Sequence, residues 1–535
     1  MQVNEMDYMF NYFNKMLQKS SKEYETELID NLKEIQDLIL RFNKSNGNIK
    51  SDVGKKLYQR LKDIGCISYS IDILKKLIEL QPKKNSLYME LNISKEKLAL
   101  LNDTSHKSPS PYIKNKYTIY NMDGYNKILH VLNTSMPYVN NGYSIRSDYI
   151  IKKQKEYGFK PVAVTRPGFP NDFFPNAILN SQKILLETFD DIHYYRPYLN
   201  EFMRCTPIKQ YISHFSGAIS YVVAKESPHI IHAASNYVIG LSALNAARGN
   251  NRPFVYEIRG FWELSKASKE PLFAFSEEFS LSQLIETYLS YEADIVVVIC
   301  EHLKEELISR GVDENKIYIV PNGVDCNRFV PLEPDKLIKE KYNLYNCFVI
   351  GYIGSIVNYE GLQNLIEALR CLKKKGYSDI RLVIVGEGES RKNLEELSRE
   401  LSLQDSIIFI GKIPHNQVVQ FYSAFDICVY PRLKKKVTDM VTPLKPLEAM
   451  ACGKAVVCSD VDAMKEIIIP EVNGLIFNNT IEDLCRKIQL LYLNKDFKIS
   501  LGNKSRKWVE SNRDWDNIVK IYEEIYRNIY EKSKG

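Results

Sequence analysis

The stretch VTPLKPLEAMACGKAVVCSD, residues 441–460, carries the most information about the fold. It predicts a short helix that ends at Gly453 and is followed by an apolar strand. Pro446 suits the first helical position, because its fixed φ matches a helix and its missing N–H would be unpaired there. Glu448 is the acid of the first turn. A helix that starts so clearly and ends within about two turns indicates a use for its N-terminus.

The N-terminus of this helix predicts an anion site. Its first N–H groups have no partner within the helix and lie at the positive end of the helix dipole, so they favour a phosphate or diphosphate. Lys445 adds a positive charge, and Pro443 and Leu444 form the adjoining loop. Glu448 can accept hydrogen bonds from sugar hydroxyls such as those of a ribose. The alternative is a well-capped helix with a solvated lysine.

Length and charge limit the class of protein. With 535 residues the chain is too long for one core, and it predicts roughly three domains of about 150 residues each. Apolar residues make up 44% and charged residues 26%, which excludes wholesale disorder. Lys plus Arg exceed Asp plus Glu by 72 to 66. This bias is too weak to indicate nucleic-acid binding, although it suits work near an anionic membrane or on phosphorylated substrates.

The cysteines and the apolar runs predict a location. The 10 cysteines form no CxxC pair and no Cys/His metal spacing, so we expect buried, reduced thiols. Residues 1–15 lack the basic start and apolar core of a signal peptide. The longest apolar run, around 293–300, is far shorter than the ~20 residues of a membrane helix. We therefore expect a cytoplasmic protein that can work at the inner face of a membrane.

Residues 1–105 predict an all-α region. Apolar residues recur there at three- and four-residue steps, and successive helices are closed by Gly65 and Pro82. This pattern is typical of a helical packing appendage or of a coiled-coil arm for homo-oligomerisation. A docking module for an acceptor or a partner protein is the alternative. Residues 106–126 contain a Ser/Pro-rich segment that indicates a linker.

From residue 127 onward, predicted strands and helices alternate. The first run, 127–330, includes KILHVLNTS, KPVAVTR and ADIVVVIC, and the second, 331–510, includes CFVIGYIGS, IRLVIVGEG and KAVVCSD. Strands separated by helices imply parallel sheets with right-handed crossovers. We therefore predict an α/β protein with two facing, doubly wound, Rossmann-like domains. Ligands of such sheets bind beyond the carboxyl ends of the strands.

Four motifs in this order resemble the family-4 retaining glycosyltransferases of the GT-B fold, also called group 1. They are IVPNGVDCNRF, GYIGSIVNYEGLQNLIEA, PLKPLEAMACGKAVVCSD and NGLIF. The resemblance implies that 331–510 holds a nucleotide-sugar donor, that 127–330 holds the acceptor, and that the reaction occurs in the cleft between them. It also implies that a last helix, 511–535, crosses back onto the acceptor domain, and that the domains close about a hinge near 322–325.

The resemblance implies a hexosyltransferase that moves a sugar with retention from a UDP- or GDP-linked donor to a glycan or lipid-linked glycan. Surface polysaccharide biosynthesis is the expected context. The donor is a co-substrate, so we expect no cofactor, no metal and no nucleic acid. Peripheral membrane association and homo-oligomers through the N-terminal helices fit this function. A catalytically silent GT-B scaffold or binding protein and a nucleotide-sugar epimerase are the alternatives.

The sequence departs from the family's charge pattern. The family signature has two glutamates eight residues apart; Glu448 matches the second, but Met440 stands at the first. We therefore assign the donor-sugar hydroxyls to Asp439, the nearest carboxylate. Ser355, which would still contact the donor, stands where the family commonly has an arginine, and Glu360 stands where it has a lysine. The missing positive charges must come from elsewhere.

Arg432 and Lys445 are the residues that we expect to replace these charges. Both lie on loops at the carboxyl edge of the predicted second sheet. An arginine can bind a phosphate bidentately, and a lysine acts as a point charge. We assign both to catalysis, where they would stabilise the departing diphosphate. The adjacent lysines 434–436 are better explained as a solvated loop.

Further donor contacts follow from position in the motifs. Gly351 and Gly354 would let the backbone approach the donor phosphates, although a strand glycine without a ligand is the alternative. Gly142 matches the family's glycine loop, which faces the donor from the first domain. Lys412 and Ile413 follow a strand at the place where the base usually meets the backbone.

Arg259 is the remaining catalytic candidate. It occupies the place where many relatives have a histidine before a glycine, and it would contact phosphate or acceptor. The alternative is a structural ion pair with Glu257 or Glu263. His232 ends a predicted strand and indicates a structural histidine.

Overall fold

The computed structural model describes residues 25–105, 126–173, 184–198 and 207–534. They form an all-α region followed by two sheets that are packed between helices. Residues 1–24 and almost all of the predicted linker, 106–126, lie outside the described residues. In the part of the chain that is described, no helix is both long and apolar enough to cross a bilayer.

The N-terminal region consists of four described helices that pack against the rest of the chain. They are α1 (Glu25–Lys44), α2 (Gly47–Asp63), α3 (Ile67–Leu80) and α4 (Asn85–Ser105). Leu57 of α2 is fully buried in a hydrophobic cluster that also contains strand residues of the first sheet. Arg60 pairs with Glu270 at 2.7 Å. Residues 25–105 thus form a packed appendage and not a free coiled-coil arm, because the apolar faces of these helices pack against other parts of the same chain.

The first sheet has eight strands in the order β3-β4-β2-β1-β5-β6-β7-β8. The strands are β1 (Lys127–Leu132), β2 (Lys160–Thr165), β3 (Ile184–Phe189), β4 (Ile192–Pro197), β5 (Ile230–Ala234), β6 (Phe254–Ile258), β7 (Ile295–Val298) and β8 (Ile317–Ile319). The helices of this domain are α5 (Gly142–Glu156), α6 (Ile208–Glu226), α7 (Tyr237–Gly249), α8 (Trp262–Ala267), α9 (Glu277–Glu292) and α10 (Glu301–Ser309).

One edge of the first sheet differs from the predicted parallel arrangement. β3 pairs with β4 in antiparallel fashion, whereas the other strand pairs of this sheet are parallel. Asp190 and Asp191 join the two strands, and both have a φ of 52°. A two-residue turn with positive φ at both positions forms a tight hairpin, so these strands can only be antiparallel neighbours.

The second sheet has six parallel strands in the order β11-β10-β9-β12-β13-β14. The strands are β9 (Phe348–Ile353), β10 (Ile380–Val385), β11 (Ile407–Gly411), β12 (Ile427–Tyr430), β13 (Ala455–Ser459) and β14 (Leu475–Phe477). The helices are α11 (Lys336–Lys341), α12 (Leu362–Lys374), α13 (Arg391–Glu400), α14 (Val418–Ser423), α15 (Lys436–Asp439), α16 (Leu444–Ala451), α17 (Asp462–Lys465), α18 (Ile481–Leu493), α19 (Lys495–Asn512) and α20 (Trp515–Lys534).

The chain passes between the two domains twice, and the two crossings lie side by side. The Val324 N–H donates to the Arg513 carbonyl at 2.9 Å, and the Trp515 N–H donates to the Val324 carbonyl at 3.2 Å. Helix α20 then packs on the first sheet, where Trp515 and Tyr522 are fully buried. The last helix therefore returns to the first domain. Residues 322–325 form one of the two connections between the domains, and backbone hydrogen bonds link it to the other connection.

Candidate functional site

A cavity of about 650 Å³ lies between the two domains. Its second-domain wall is built from the loops that follow β9, β10, β11 and β12, at the carboxyl ends where ligands of such sheets bind. Its first-domain wall includes the start of α5 and of α8. Most of the predicted site residues line it: Gly142, Arg259, Gly354, Ser355, Lys412, Ile413, Arg432, Pro443, Leu444, Lys445 and Glu448.

Helix α16 is the helix predicted from the quoted stretch. It begins at Leu444, so Pro446 is its third residue and not its first. Proline is tolerated there because the N–H groups of the first turn have no helical partner in any case. Pro443 occupies the N-cap position and has no side-chain acceptor, so its side chain cannot occupy the N–H groups at the start of α16.

Lys445 is held on the cavity wall by side chains from two other elements. Its Nζ lies 2.9 Å from the Glu360 carboxylate and donates to the Tyr352 hydroxyl at 2.7 Å. Tyr352 in turn donates to the Ser355 carbonyl at 2.8 Å. The Lys445 side chain passes over Gly354, where a Cβ would lie 2.3 Å from the Lys445 Cε. Gly354 therefore makes room for the lysine.

Arg432 is the second cation of this wall. It is 5% exposed, its Nη1 donates to the Val441 carbonyl at 2.9 Å, and its Nε lies 3.7 Å from Glu360 Oε1. Burial alone would raise the pKa of Glu360, but Lys445 and Arg432 outweigh it and hold that pKa below its usual value. Glu360 therefore stays ionised, and two cations share one carboxylate.

Glu448 lies one turn after Lys445 on α16 and also lines the cavity. Tyr422 donates to its Oε2 at 3.2 Å. Burial raises the pKa of Glu448 to about 7, although Tyr422, Arg328 and Lys445 oppose this shift. The carboxyl therefore exchanges its proton near neutral pH, and it can accept a hydrogen bond from a hydroxyl or donate one to it.

The first domain presents a second helix start to the same cavity. Helix α5 begins at Gly142, and Asn141 caps it by accepting a hydrogen bond from the Ser144 N–H at 2.9 Å. A Cβ on Gly142 would lie 3.7 Å from Leu444 Cδ1, which is an ordinary contact distance. The starts of α5 and α16 therefore lie close together where the two domains meet at the cavity.

Arg259 reaches the cavity from the end of β6, but its guanidinium is bound on the protein side. Its Nε lies 2.9 Å from Glu257, and its Nη1 donates to the Ser147 hydroxyl at 2.6 Å. Glu257 also pairs with Arg146 at 2.7 Å and lies 3.0 Å from His232. Arg259 therefore makes the ion pair with Glu257 that was the alternative prediction from the sequence. Its contact with phosphate or acceptor stays a prediction. His232 is buried in this structural network.

Asp439 and Met440 are not among the described residues that line the cavity. The Asp439 carboxylate accepts the Asp462 N–H at 3.0 Å, at the start of α17. Met440 is 6% exposed and packs in the hydrophobic cluster of the first domain. The assignment of Asp439 to sugar hydroxyls therefore does not fit the geometry, because the segment 436–440 is turned toward α17 and the first domain.

Gly351 also lies outside the cavity lining as the structure describes it. It is a residue of β9, and a Cβ there would lie 2.0 Å from the Phe425 ring. The glycine is thus required for packing of the second core, which was the alternative to a phosphate contact.

Replacing Gly351 by alanine is expected to destabilise the second domain by about 1 to 3 kcal/mol, because the added methyl overpacks the core against Phe425. A thermal melt of the variant measures this loss. The double variant with Phe425→Leu is expected to recover part of it. If Gly351→Ala keeps the wild-type melting temperature and only ligand binding is lost, Gly351 is a ligand contact after all.

The aromatic side chains around the two cations were not predicted. Tyr352 and Tyr430 are fully buried, and Tyr430 donates to the Lys445 carbonyl at 2.9 Å. The Tyr359 ring lies 5.8 Å from the Arg432 guanidinium. Tyrosines inside buried strands were the available signal, because a buried phenol needs a hydrogen-bond partner.

Comparison with known families gives two matches that follow one another along the chain. Residues 177–328 match the family described as Glycosyltransferase Family 4, and residues 335–515 match the family described as Glycosyl transferases group 1. The boundary between the matches falls between the two sheets, so each domain is matched by its own family.

Curated relatives agree with these matches. The capsular polysaccharide biosynthesis glycosyltransferase CapM of Staphylococcus aureus is 26% identical over 356 residues, which cover 64% of this chain and 88% of CapM. An uncharacterized glycosyltransferase of Methanocaldococcus jannaschii is 28% identical over 239 residues, 44% of this chain. The chain spans 59% of that archaeal relative.

Solved structures share the fold. Sucrose-phosphate synthase from Thermosynechococcus elongatus superposes with a TM-score of 0.61 at 20% identity and covers 76% of this chain and 99% of its own. Anabaena HepE in complex with UDP gives a TM-score of 0.58 at 15% identity, over 75% of this chain and 100% of its own. The predicted fold class is thereby confirmed. The chain belongs to the group 1, family 4 glycosyltransferases and has the GT-B fold with an added helical N-terminal region.

Proposed function

We propose that the protein transfers a sugar, with retention of its anomeric configuration, from a UDP- or GDP-linked donor to a glycan or lipid-linked glycan. The observation that carries the proposal is the pair of cations, Lys445 and Arg432, on a cavity wall that also contains the start of α16. A diphosphate needs positive charge and N–H donors together, and this wall supplies both.

The protein's contribution to the reaction is mainly electrostatic in this proposal. The bond between the sugar and the diphosphate breaks, and Lys445, Arg432 and the N–H groups of α16 stabilise the charge that develops on the leaving group. The acceptor hydroxyl attacks from the same face, and a donor phosphate oxygen takes its proton. Closing the cleft would exclude water and strengthen these interactions.

The acceptor is proposed from the relatives and from the shape of the cleft. CapM is named for capsular polysaccharide biosynthesis, which supports a surface glycan or its lipid-linked precursor as the acceptor. The first-domain wall of the cavity contributes Trp262, which is 43% exposed, and an accessible indole is a suitable surface for a sugar ring. We place the acceptor on this side and the donor on the opposite side.

Metal independence is part of the proposal, because Lys445 and Arg432 supply the charge that a divalent ion would otherwise provide. Transfer and nucleotide release are expected to be unchanged in excess EDTA and to gain less than about twofold from added Mg²⁺ or Mn²⁺. Loss of activity in EDTA that Mn²⁺ restores would contradict this part of the proposal.

The experiment that tests the function is a donor panel. Purified protein is incubated with UDP- and GDP-sugars, with and without a lipid-linked glycan fraction, and release of UDP or GDP is measured. We expect release with one donor, faster with acceptor, and NMR of the product should show the donor's anomeric configuration. Conversion of the donor without nucleotide release would identify an epimerase, and no turnover with any donor would favour the silent scaffold.

A further inference from the structure

Three charged side chains meet on the cavity wall, and their charges do not cancel. One oxygen of Glu360 lies 2.9 Å from the Lys445 ammonium and 3.7 Å from the Arg432 guanidinium. Glu360 is 3% exposed and Arg432 is 5% exposed, so water screens the cluster only weakly. Glu360 therefore lies between two cations that would otherwise repel each other at short range.

The surroundings of Lys445 explain why it depends on Glu360. Its side chain is confined between Gly354 and the Tyr352 ring, whose centroid is 5.1 Å from Nζ. Its other described partner, the Tyr352 hydroxyl, is neutral and would accept a hydrogen bond from an amine as well as from an ammonium. Among the described residues, Glu360 is thus the ion-pair partner of Lys445, and this contact stabilises the charged form of the lysine over the neutral form.

We propose that Glu360 is a positioning residue for donor binding, which keeps Lys445 charged and fixed on the cavity wall so that an incoming diphosphate meets a preformed cation. This inference rests on the proposed function, because it assumes that the cavity takes a nucleoside diphosphate. Burial lowers the pKa of Lys445; Glu360, which is in direct contact, opposes that shift most, Arg432 adds to it, and Glu448 opposes it to a smaller extent. Without the carboxylate, Lys445 is expected to lose its proton at a lower pH.

Other titratable groups face Lys445 from the neighbouring elements. They are Tyr352 on β9, Tyr359 in the turn before α12, Tyr422 on α14, Tyr430 on β12, Arg432 in the loop after β12, and Glu448 on α16 itself. Burial holds the pKa values of the four tyrosines above their ordinary value, so they stay neutral. Glu448, with a pKa of about 7 owing to burial, titrates in the same range, and it must therefore be present in every variant compared.

The test compares the pH dependence of nucleotide affinity in three proteins. Wild type, Glu360→Gln and the double variant Glu360→Gln with Lys445→Arg are titrated calorimetrically with whichever of UDP, GDP and ADP the wild type binds. Near pH 6 we expect Glu360→Gln to bind within a few-fold of wild type. Toward pH 9 its affinity should fall more than that of wild type, by up to about tenfold for each pH unit above the pKa of Lys445, because each unit above a pKa removes tenfold of the charged form.

The double variant identifies the group that titrates. An arginine keeps its proton throughout this range, so Lys445→Arg is expected to abolish the additional loss at high pH. Glu389→Gln removes a carboxylate that is 53% exposed and lies outside this cluster, and it should follow the wild-type profile. If Glu360→Gln does not fold, Glu360→Asp replaces it, and its shorter carboxylate should give an intermediate pH dependence.

Two results would overturn the inference. One is a Glu360→Gln profile parallel to that of wild type, and the other is an additional loss of affinity that remains when Lys445 is arginine. Either result can be observed only if the wild-type protein binds a nucleotide. A wild type that binds none of the three nucleotides at any pH instead overturns the proposed function, so the two failures are distinguishable.

Discussion

Lys445→Ala is expected to weaken nucleotide binding by at least about 30-fold, since removing one partner of a buried charge pair commonly weakens binding by about 2 to 5 kcal/mol. Two effects add. The diphosphate loses a cation at the start of α16, and Glu360, 3% exposed, is left with Arg432 alone at 3.7 Å. Calorimetric titration of the nucleotide that wild type binds measures the loss.

The control for this variant is Lys434→Ala. Lys434 is an exposed lysine of the loop between β12 and α15 and does not line the cavity as the structure describes it. Because it is also a lysine, its removal changes the net charge by the same amount. We expect less than about a threefold effect from it, as for other exposed charges. Equal losses in both variants would mean that long-range charge, and not a built site, explains nucleotide binding.

The second large effect is expected in the first domain. Arg146→Met should lower the stability of that domain by about 3 to 5 kcal/mol, because it breaks a fully buried ion pair and leaves the Val320 and Pro321 carbonyls without their donor, while Glu257 keeps only Arg259 as an arginine partner. Arg146 is 2% exposed, its Nε lies 2.7 Å from Glu257, and its Nη2 donates to the Val320 carbonyl at 2.7 Å. The same side chain therefore ties α5 to the connection between the domains.

Urea unfolding monitored on the first domain measures this effect. The control is Lys152→Met on the same helix, which removes a partly exposed lysine that pairs with Asp148 at 2.8 Å. This variant should change the free energy of unfolding by less than about 1 kcal/mol. If Arg146→Met is as stable as Lys152→Met, the Arg146 network does not hold the connection in place. A large loss in Arg146→Met alone supports a structural role for Arg259 as well, because both arginines share Glu257.

The fold was predictable from the sequence because local patterns agree with the global arrangement. Buried strands such as 348–353 and amphipathic helices alternate at spacings that only a parallel sheet accommodates. The hairpin at the edge of the first sheet was missed, because its turn, Asp190-Asp191, contains no glycine. The packing of the N-terminal helices could not be predicted, since an apolar helix face looks the same whether its partner is this chain or another.

The cavity lining was also largely predictable, whereas the partners of its charges were not. Motif position placed Lys445 and Arg432 at the carboxyl edge, and both line the cavity. The sequence could not show that Glu360, which stands where the family commonly has a lysine, lies 2.9 Å from Lys445. Nor could it show that Asp439 caps α17, because the direction of the segment 436–440 depends on Met440 packing into the first domain.

The most direct test of the central claim is a thermal-shift titration of the wild-type protein with UDP, GDP and ADP, repeated on Arg432→Ala and Lys445→Ala. We expect one nucleotide to raise the melting temperature of wild type, since a ligand that binds only the folded state stabilises it by mass action. The shift should collapse in both variants. If no nucleotide at millimolar concentration moves the wild-type melting temperature, the cavity does not hold a nucleotide-sugar donor and the protein does not have the proposed function.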